Sequence, residues 1–266
     1  MEDQQQLFDS SLASLNAYFD KIYLLTIERN LNRVANCYEN LRGIEFTVFI
    51  GADGKQLNLV RMEEEGQYNS TLMKKNSGDD VLKYLGLSAY YDPNPNMVAC
   101  SLSHKMIYED VIKNGHKKVL ILEDDALLLR ENIILFARMT EQIPKDWDVF
   151  YLGYIWKYDK SFLEGLKRRY LYPVLHSTGL RKYNPSLIEY GFTQPYSKNI
   201  LRAGTHGGTH AYAISGKGAE VMLNWQSPIQ NNPDLAFWKP IMQKKLNAYS
   251  AKPILFDTTG GPSTIF

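Results

Sequence analysis

The chain has 266 residues, enough for one large α/β domain or two small ones with a sizeable core. Hydrophobic residues make up 44% and charged residues 22%, an ordinary balance for a soluble globular protein, and a formal net charge of +1 leaves no electrostatic footprint for nucleic-acid binding. Cys37 and Cys100 are the only cysteines; they form no metal-ligand spacing, and reduced thiols in a reducing compartment are expected. The polar, acidic start lacks the basic and apolar parts of a secretion signal, and no apolar run approaches the roughly 18 residues that span a bilayer. A cytoplasmic chain is the expectation. The formal sequon Asn69-Ser-Thr71 carries little weight in that setting.

In chain order, residues 8–18 suit a short amphipathic helix, and Lys21-Ile-Tyr-Leu-Leu-Thr-Ile27 suits a buried strand. A polar turn and a helix to about Leu41 follow, then a second strand at Glu45-Phe-Thr-Val-Phe-Ile50, stopped by Gly51-Ala-Asp-Gly54. Strand, helix and strand at this spacing form a βαβ unit with parallel strands. Residues 58–96 are less regular, with the acidic run Glu63–Glu65 and the turn-rich Asp92-Pro-Asn-Pro-Asn96, and suggest a surface excursion with short helices. Helical periodicity returns over 98–114, closed by Asn114-Gly115 as a C-cap. A third strand at 118–122, a helix at 131–140, a fourth strand at 148–153, a strand at 209–215, a helix at 218–225 and a short strand with a Gly-Gly-Pro turn in the tail complete the pattern.

Residues 157–202 differ from the rest. They hold nine basic residues (Lys157, Lys160, Lys167, Arg168, Arg169, Arg181, Lys182, Lys198, Arg202) against Asp159, Glu164 and Glu189, with six tyrosines. This basic segment suits a phosphorylated or acidic acceptor or an anionic membrane surface; an ordinary solvated excursion is the plain alternative.

The third strand runs into Glu123-Asp124-Asp125 and back into apolar residues. Adjacent carboxylates repel, and burying them unpaired is costly. In an open α/β sheet, ligands gather beyond the carboxyl ends of strands. An extended chain would turn Glu123 and Asp125 to one side and Asp124 to the other. Two carboxylates facing one point need a cation, and hard oxygen ligands suit Mn²⁺ or Mg²⁺. A solvated strand end is the bland alternative.

Val98-Ala-Cys-Ser-Leu-Ser-His104, followed by Leu120-Ile-Leu-Glu-Asp-Asp-Ala126, resembles the family 25 glycosyltransferases, which include bacterial lipooligosaccharide and collagen galactosyltransferases. Ile22-Tyr-Leu-Leu-Thr-Ile-Glu-Arg29 with Arg33, Ala52-Asp-Gly54, Trp147-Asp-Val-Phe-Tyr-Leu-Gly153 and Gly208-Thr-His-Ala-Tyr-Ala-Ile-Ser215 continue the likeness in the family's order. It covers roughly residues 20–263 apart from two variable stretches.

The resemblance implies a GT-A-like fold, a Rossmann-like mixed sheet flanked by helices in a single domain over 1–266. A nucleotide-sugar half (about 20–155) would continue into an acceptor half (about 156–266) that includes the 157–202 insert. It also implies a UDP-sugar donor, with UDP-galactose or UDP-glucose foremost, and an acidic motif holding Mn²⁺ or Mg²⁺. Asp125 is then the direct metal ligand, and Glu123 and Asp124 orient the site or contact the ribose. Thr26-Ile-Glu28 occupies the base-binding turn, where many members carry Asn-Leu-Asp. Ser103, His104 and His210 fall in family motifs and are placed at the donor.

Several residues have two readings. Asp53, in a Gly-bounded turn after a strand, could meet a nucleobase or ribose, or bond its own backbone. Arg29 and Arg33 could meet a diphosphate, or be solvated helix charge. His104 reads alternatively as a packed, hydrogen-bonded histidine. His206 is a weaker candidate than His210. Asp234, after Asn231-Asn-Pro233, is the candidate base; it also suits a helix N-cap. As a base it must stay ionised, so it should stand clear of the metal-free cluster. Asp257 is a weaker candidate for metal or base.

The expected function is an inverting, metal-dependent hexosyl transfer from a UDP-sugar to a saccharide or glycolipid acceptor in surface-glycan synthesis, in the cytoplasm or at the inner face of the membrane. The rivals are a nucleotidyltransferase and a non-catalytic nucleotide-binding module on the same type of fold.

Overall fold

The computed structural model describes residues 2–77, 79, 93–157, 159, 161–180 and 189–260. Asp92, Arg181, Lys182 and the Gly261-Pro262 turn lie outside them, as do two of the six tyrosines of the basic segment, Tyr158 and Tyr183.

The centre is an eight-stranded mixed sheet in the order β2-β1-β3-β10-β5-β11-β8-β7. Its strands are β1 (Lys21–Thr26), β2 (Thr47–Ile50), β3 (Lys118–Glu123), β5 (Val149–Tyr151), β7 (Gln194–Pro195), β8 (Ile200–Arg202), β10 (Ala211–Ser215) and β11 (Ala248–Ala251). β1 lies parallel to β2 and to β3, as the βαβ pattern predicts. β10 enters antiparallel between β3 and β5. Two small sheets pair β4 (Ala126–Leu128) with β12 (Phe256–Thr258) and β6 (Trp156–Lys157) with β9 (His206–Gly207).

Side-chain alternation along the strands builds two apolar layers. Leu120 and Leu122 face one way, into a core with Leu24, Phe136, Phe150 and the first helix, Glu2–Tyr18. Val119 and Ile121 face the other way, into a core with Ile107, Val111, Tyr151, Tyr212 and Phe237. The helix Pro95–Asn114 covers this second face. Asn94 caps its start by accepting the Met97 N–H, Pro95 opens its first turn, and Gly115 closes it at φ +67°.

Three features depart from the sequence reading. The helix expected at 131–140 is two short pieces, Arg130–Ile133 and Phe136–Gln142. The end of the basic segment is part of the main sheet, since β8 pairs with β11 and β7 pairs with β8. Finally, β3 stops at Glu123 and residues 124–125 form a turn. Strand alternation therefore does not govern the sides on which Asp124 and Asp125 lie.

Candidate active site

Parallel pairing brings the carboxyl ends of β1, β2 and β3 to one edge. Thr26, the Gly51–Gly54 turn and Glu123 thus come together, and the antiparallel β10 delivers Thr209 and His210 from the other side. An open cleft of about 480 Å³ lies at this edge, lined among others by Thr26, Arg29, Asn30, Cys100, Ser103 and Asp124. Gly51 is needed there. A Cβ on it would meet the Ser103 hydroxyl at 2.4 Å, and Ser103 Oγ itself accepts the Ala52 N–H at 2.9 Å.

The β1–β2 side of the cleft is neutralised by arginines. Arg33 Nη1 reaches Asp124 Oδ1 at 2.9 Å, and Thr26 Oγ1 donates to Asp124 Oδ2 at 2.6 Å. Burial pushes the Asp124 carboxyl up, and Thr26 and Arg33 oppose that shift. Arg29 Nε lies 3.3 Å from Asp53 Oδ2, while Asp53 Oδ1 accepts the Lys55 N–H at 2.9 Å. Asp53 thus bonds its own turn and pairs with Arg29, which lines the cleft. Glu28 is exposed and stands apart from the lining residues.

The β10 side carries excess negative charge. Glu123 Oε1 accepts from Thr209 Oγ1 at 2.6 Å and stands 3.3 Å from His104 Nε2. Burial raises the Glu123 carboxyl, but His104, Thr209 and His210 outweigh it and hold it below the usual range. At Asp125 the opposing groups, Arg33 and its own backbone, are outweighed. Burial first, then Glu123 and Asp124, push it up to about 6, and its Oδ1 is buried with no hydrogen-bond partner among the described residues.

Asp234 sits in the helix Pro233–Ala236, whose N-cap is Asn232 rather than Asp234. Its carboxylate is therefore free to accept the Gly208 N–H at 3.0 Å. Burial and the charge of Glu123 push Asp234 up to about 6. The expectation that Asp234 stands clear of the cluster is thus corrected: the Gly208 hydrogen bond ties it to the loop that also carries Thr209.

His104 Nδ1 is 2.9 Å from the Tyr212 hydroxyl, which is 2.9 Å from the Tyr108 hydroxyl. His104 is thus packed and hydrogen-bonded through Nδ1, while its Nε2 points to Glu123 Oε1. His210 is buried against Gly153, where a Cβ would meet its Nε2 at 2.4 Å, and burial lowers its pKa. His206 belongs to the core; it stacks on Tyr151, bonds Ser250 Oγ at 3.1 Å, and is pushed down to about 4 by burial. Asp257 is exposed on β12 and accepts the Thr258 N–H. Sequence reasoning missed Thr209, Tyr212 and Cys100 as site residues. Cys100 did leave a signal, because it precedes His104 by one helical turn.

A mixed sheet flanked by helices, with a polar cleft across its strand ends, defines a Rossmann-like glycosyltransferase fold. The chain belongs to glycosyltransferase family 25, whose profile, described as "Glycosyltransferase family 25 (LPS biosynthesis protein)", matches residues 19–237. It is 23% identical to procollagen galactosyltransferase 1 of Danio rerio over 253 residues, 91% of this chain and 36% of that protein. It is 28% identical to the inactive glycosyltransferase 25 family member 3 of Mus musculus over 153 residues, 51% of this chain and 22% of that protein. Procollagen galactosyltransferase 2 of Homo sapiens is 23% identical over 146 residues, 51% of this chain and 21% of that protein. The matches thus span about a third or less of these relatives. Among the described residues, no helix is long and apolar enough to cross a membrane.

Proposed function

We propose that the chain is an inverting glycosyltransferase that moves a hexose, galactose or glucose, from a UDP-sugar to a saccharide acceptor. The observation that carries this reading is the charge imbalance of the cleft in a family 25 chain. Asp124 and Asp53 have arginine partners, whereas burial first and acidic neighbours second, Glu123 and Asp124 at Asp125 and Glu123 at Asp234, raise Asp125 and Asp234 to about 6. A divalent cation fits that deficit. The bare Asp125 Oδ1 is a hard oxygen donor of the kind Mn²⁺ or Mg²⁺ takes, with Glu123 as second ligand. When bound, the ion supplies positive charge for the diphosphate leaving group.

The protein's own groups account for the rest. Arg29 and Arg33 border the cleft where phosphates or base would lie, and Thr26 and Asp53 edge the nucleoside end. Asp234 is the base. It takes the acceptor hydroxyl proton as that oxygen bonds the anomeric carbon and the bond from that carbon to UDP breaks on the opposite face. A carboxylate at about 6 is ionised at neutral pH and is a better base than a free aspartate.

The family description and the names of the relatives suggest galactose as the sugar and a surface glycolipid as the acceptor. For the basic segment we propose peripheral contact with an anionic membrane. Leu163, Tyr170 and Val174 are exposed beside Lys167 and Arg169. Co-sedimentation with phosphatidylglycerol vesicles, but not with phosphatidylcholine vesicles, is the expected result. Equal pelleting in both removes the electrostatic part of this reading.

Hydrolysis of a UDP-sugar panel with Mn²⁺ tests the function and names the donor. The reading predicts release of UDP from one hexose donor, and transfer when a saccharide is added. Binding of UDP and Mn²⁺ by calorimetry with no hydrolysis or transfer points instead to a non-catalytic module, the class to which relatives named inactive draw attention. Transfer of the nucleotide in place of the sugar points to a nucleotidyltransferase.

A further inference from the structure

Three side chains at the cleft floor have no assigned common task. Cys100 and His104 lie four residues apart on the helix Pro95–Asn114, hence on one face of it. Glu123, at the end of β3, meets that face. One ligand atom from each of the three lies within 4.8 Å of the other two.

The histidine is the informative member. Its Nδ1 is held by Tyr212, which in turn is held by Tyr108. If Nδ1–H donates to Tyr212, and Tyr212 to Tyr108, the chain of hydrogen bonds is complete and Nε2 presents a lone pair. That Nε2 is buried and makes no well-formed hydrogen bond, although Glu123 Oε1 is only 3.3 Å away. An imidazole lone pair and a carboxylate oxygen at that separation have the spacing of two ligands on one ion. Orientation of a ligating histidine through its other nitrogen is the usual support at a metal centre. Cys100 lines the cleft, so a further coordination position would open toward it.

We propose that Cys100 Sγ, His104 Nε2 and Glu123 form a three-ligand site for a thiophilic divalent transition metal, zinc foremost, open to the cleft. Thiolate and imidazole select zinc over Mn²⁺ and Mg²⁺, whereas Asp125 offers only oxygen. On binding, the Sγ–metal bond forms and the thiol proton goes to solvent. The site does not depend on the glycosyltransferase reading, and it shares only Glu123 with the hard-ion site proposed there.

The test is a titration of metal-free protein with Co²⁺, read by the thiolate-to-cobalt charge-transfer absorption and followed by Zn²⁺ displacement. One equivalent of cobalt should produce the band and one of zinc should remove it. Cys100→Ser should abolish it, His104→Ala should weaken cobalt binding at least about 10-fold, and Cys37→Ser should leave it intact. No band in the unmodified chain, or a band that survives Cys100→Ser, overturns the proposal. Should the Cys100 variant misfold by circular dichroism, alkylation of the unmodified chain decides. Zinc must protect Cys100 from iodoacetamide, mapped by peptide mass, and absence of protection overturns the site. Failure of the hard-ion reading is separable: Asp125→Asn should remove Mn²⁺-dependent UDP binding while keeping the cobalt band.

Discussion

The two sides of the cleft are built from the same residue types and end in opposite electrostatic states. On the β1–β2 side each aspartate has an arginine: Asp124 with Arg33, Asp53 with Arg29. Toward β10, Glu123 accepts from Thr209 and Asp234 from Gly208, Asp125 Oδ1 has no hydrogen-bond partner, and none of the three forms an ion pair with an arginine or lysine among the described residues. A carboxylate closed by an arginine is a finished structural element. One raised to about 6 by burial and by its acidic neighbours is poised to take a proton or a cation. On the proposed reading the first side holds the donor and the second carries the proton and the cation.

The strongest way to break that division is Asp234→Asn. It removes the base without changing shape, so kcat should fall by about 10²–10⁴ while the UDP affinity measured by calorimetry stays within a few-fold. Retained turnover would move the proton acceptor elsewhere. The same pKa gives a pH profile. Activity should fall as pH drops through about 6, because the protonated acid cannot accept the proton.

Arg33→Met probes the neutralised side. It leaves Asp124, mostly buried, with only hydrogen bonds, and should lower stability in urea by about 1–3 kcal/mol. Arg29→Met, at a more loosely held pair, should cost about 1 kcal/mol or less. Equal costs would erase the distinction between a closed pair and a peripheral one.

Much of this arrangement could be read in advance, for definite reasons. The apolar run Val119-Leu-Ile-Leu122 and the Gly115 cap are local signals, and they placed β3 and its covering helix correctly. The ordered motifs brought Arg33, Asp53, His104 and Glu123 into one proposed site; in the structure Glu123 lines the cleft, and the other three pair with residues that line it, Arg33 with Asp124, Asp53 with Arg29 and His104 with Glu123. Distant pairing carried no such signal. Nothing near Glu123 indicates that β10 arrives antiparallel beside β3, so Thr209 and Tyr212 escaped notice. β11 reads Ala-Tyr-Ser-Ala, too short and too poor in β-branched residues to announce a strand, yet it is buried in the main sheet. The turn at Asp124–Asp125 defeated the alternation argument because a strand's period ends where the strand ends.

The β10 side should also be costly to the metal-free fold. Asp125 has a folded pKa of about 6, above its unfolded value, so the folded state binds the extra proton more tightly. Its contribution is therefore fully present below the unfolded aspartate value and lost as pH rises through about 6. At pH 7.5 without metal, Asp125→Asn should raise stability by about 1–2 kcal/mol, discounted for partial exposure. Near pH 4 the gain should vanish, and saturating Mn²⁺ should reverse the order of the two proteins. Urea denaturation at the two pH values measures this, and a loss of stability at pH 7.5 would show that Asp125 is already compensated.

The smallest expected effect concerns Ser103, which both readings of the cleft can claim. Its hydroxyl donates to the Ala99 carbonyl at 2.7 Å and accepts the Ala52 N–H at 2.9 Å, which braces the turn that carries Asp53. Ser103→Ala leaves that N–H without its acceptor at a cost of about 1 kcal/mol. If stability falls by this amount and UDP affinity does not change, Ser103 is a brace for the neutralised side, and its motif position reflects the close approach of helix and Gly51. A donor affinity that drops about 10-fold, well beyond what the stability change explains, would make Ser103 a direct contact and extend the chemical side of the cleft across to β2.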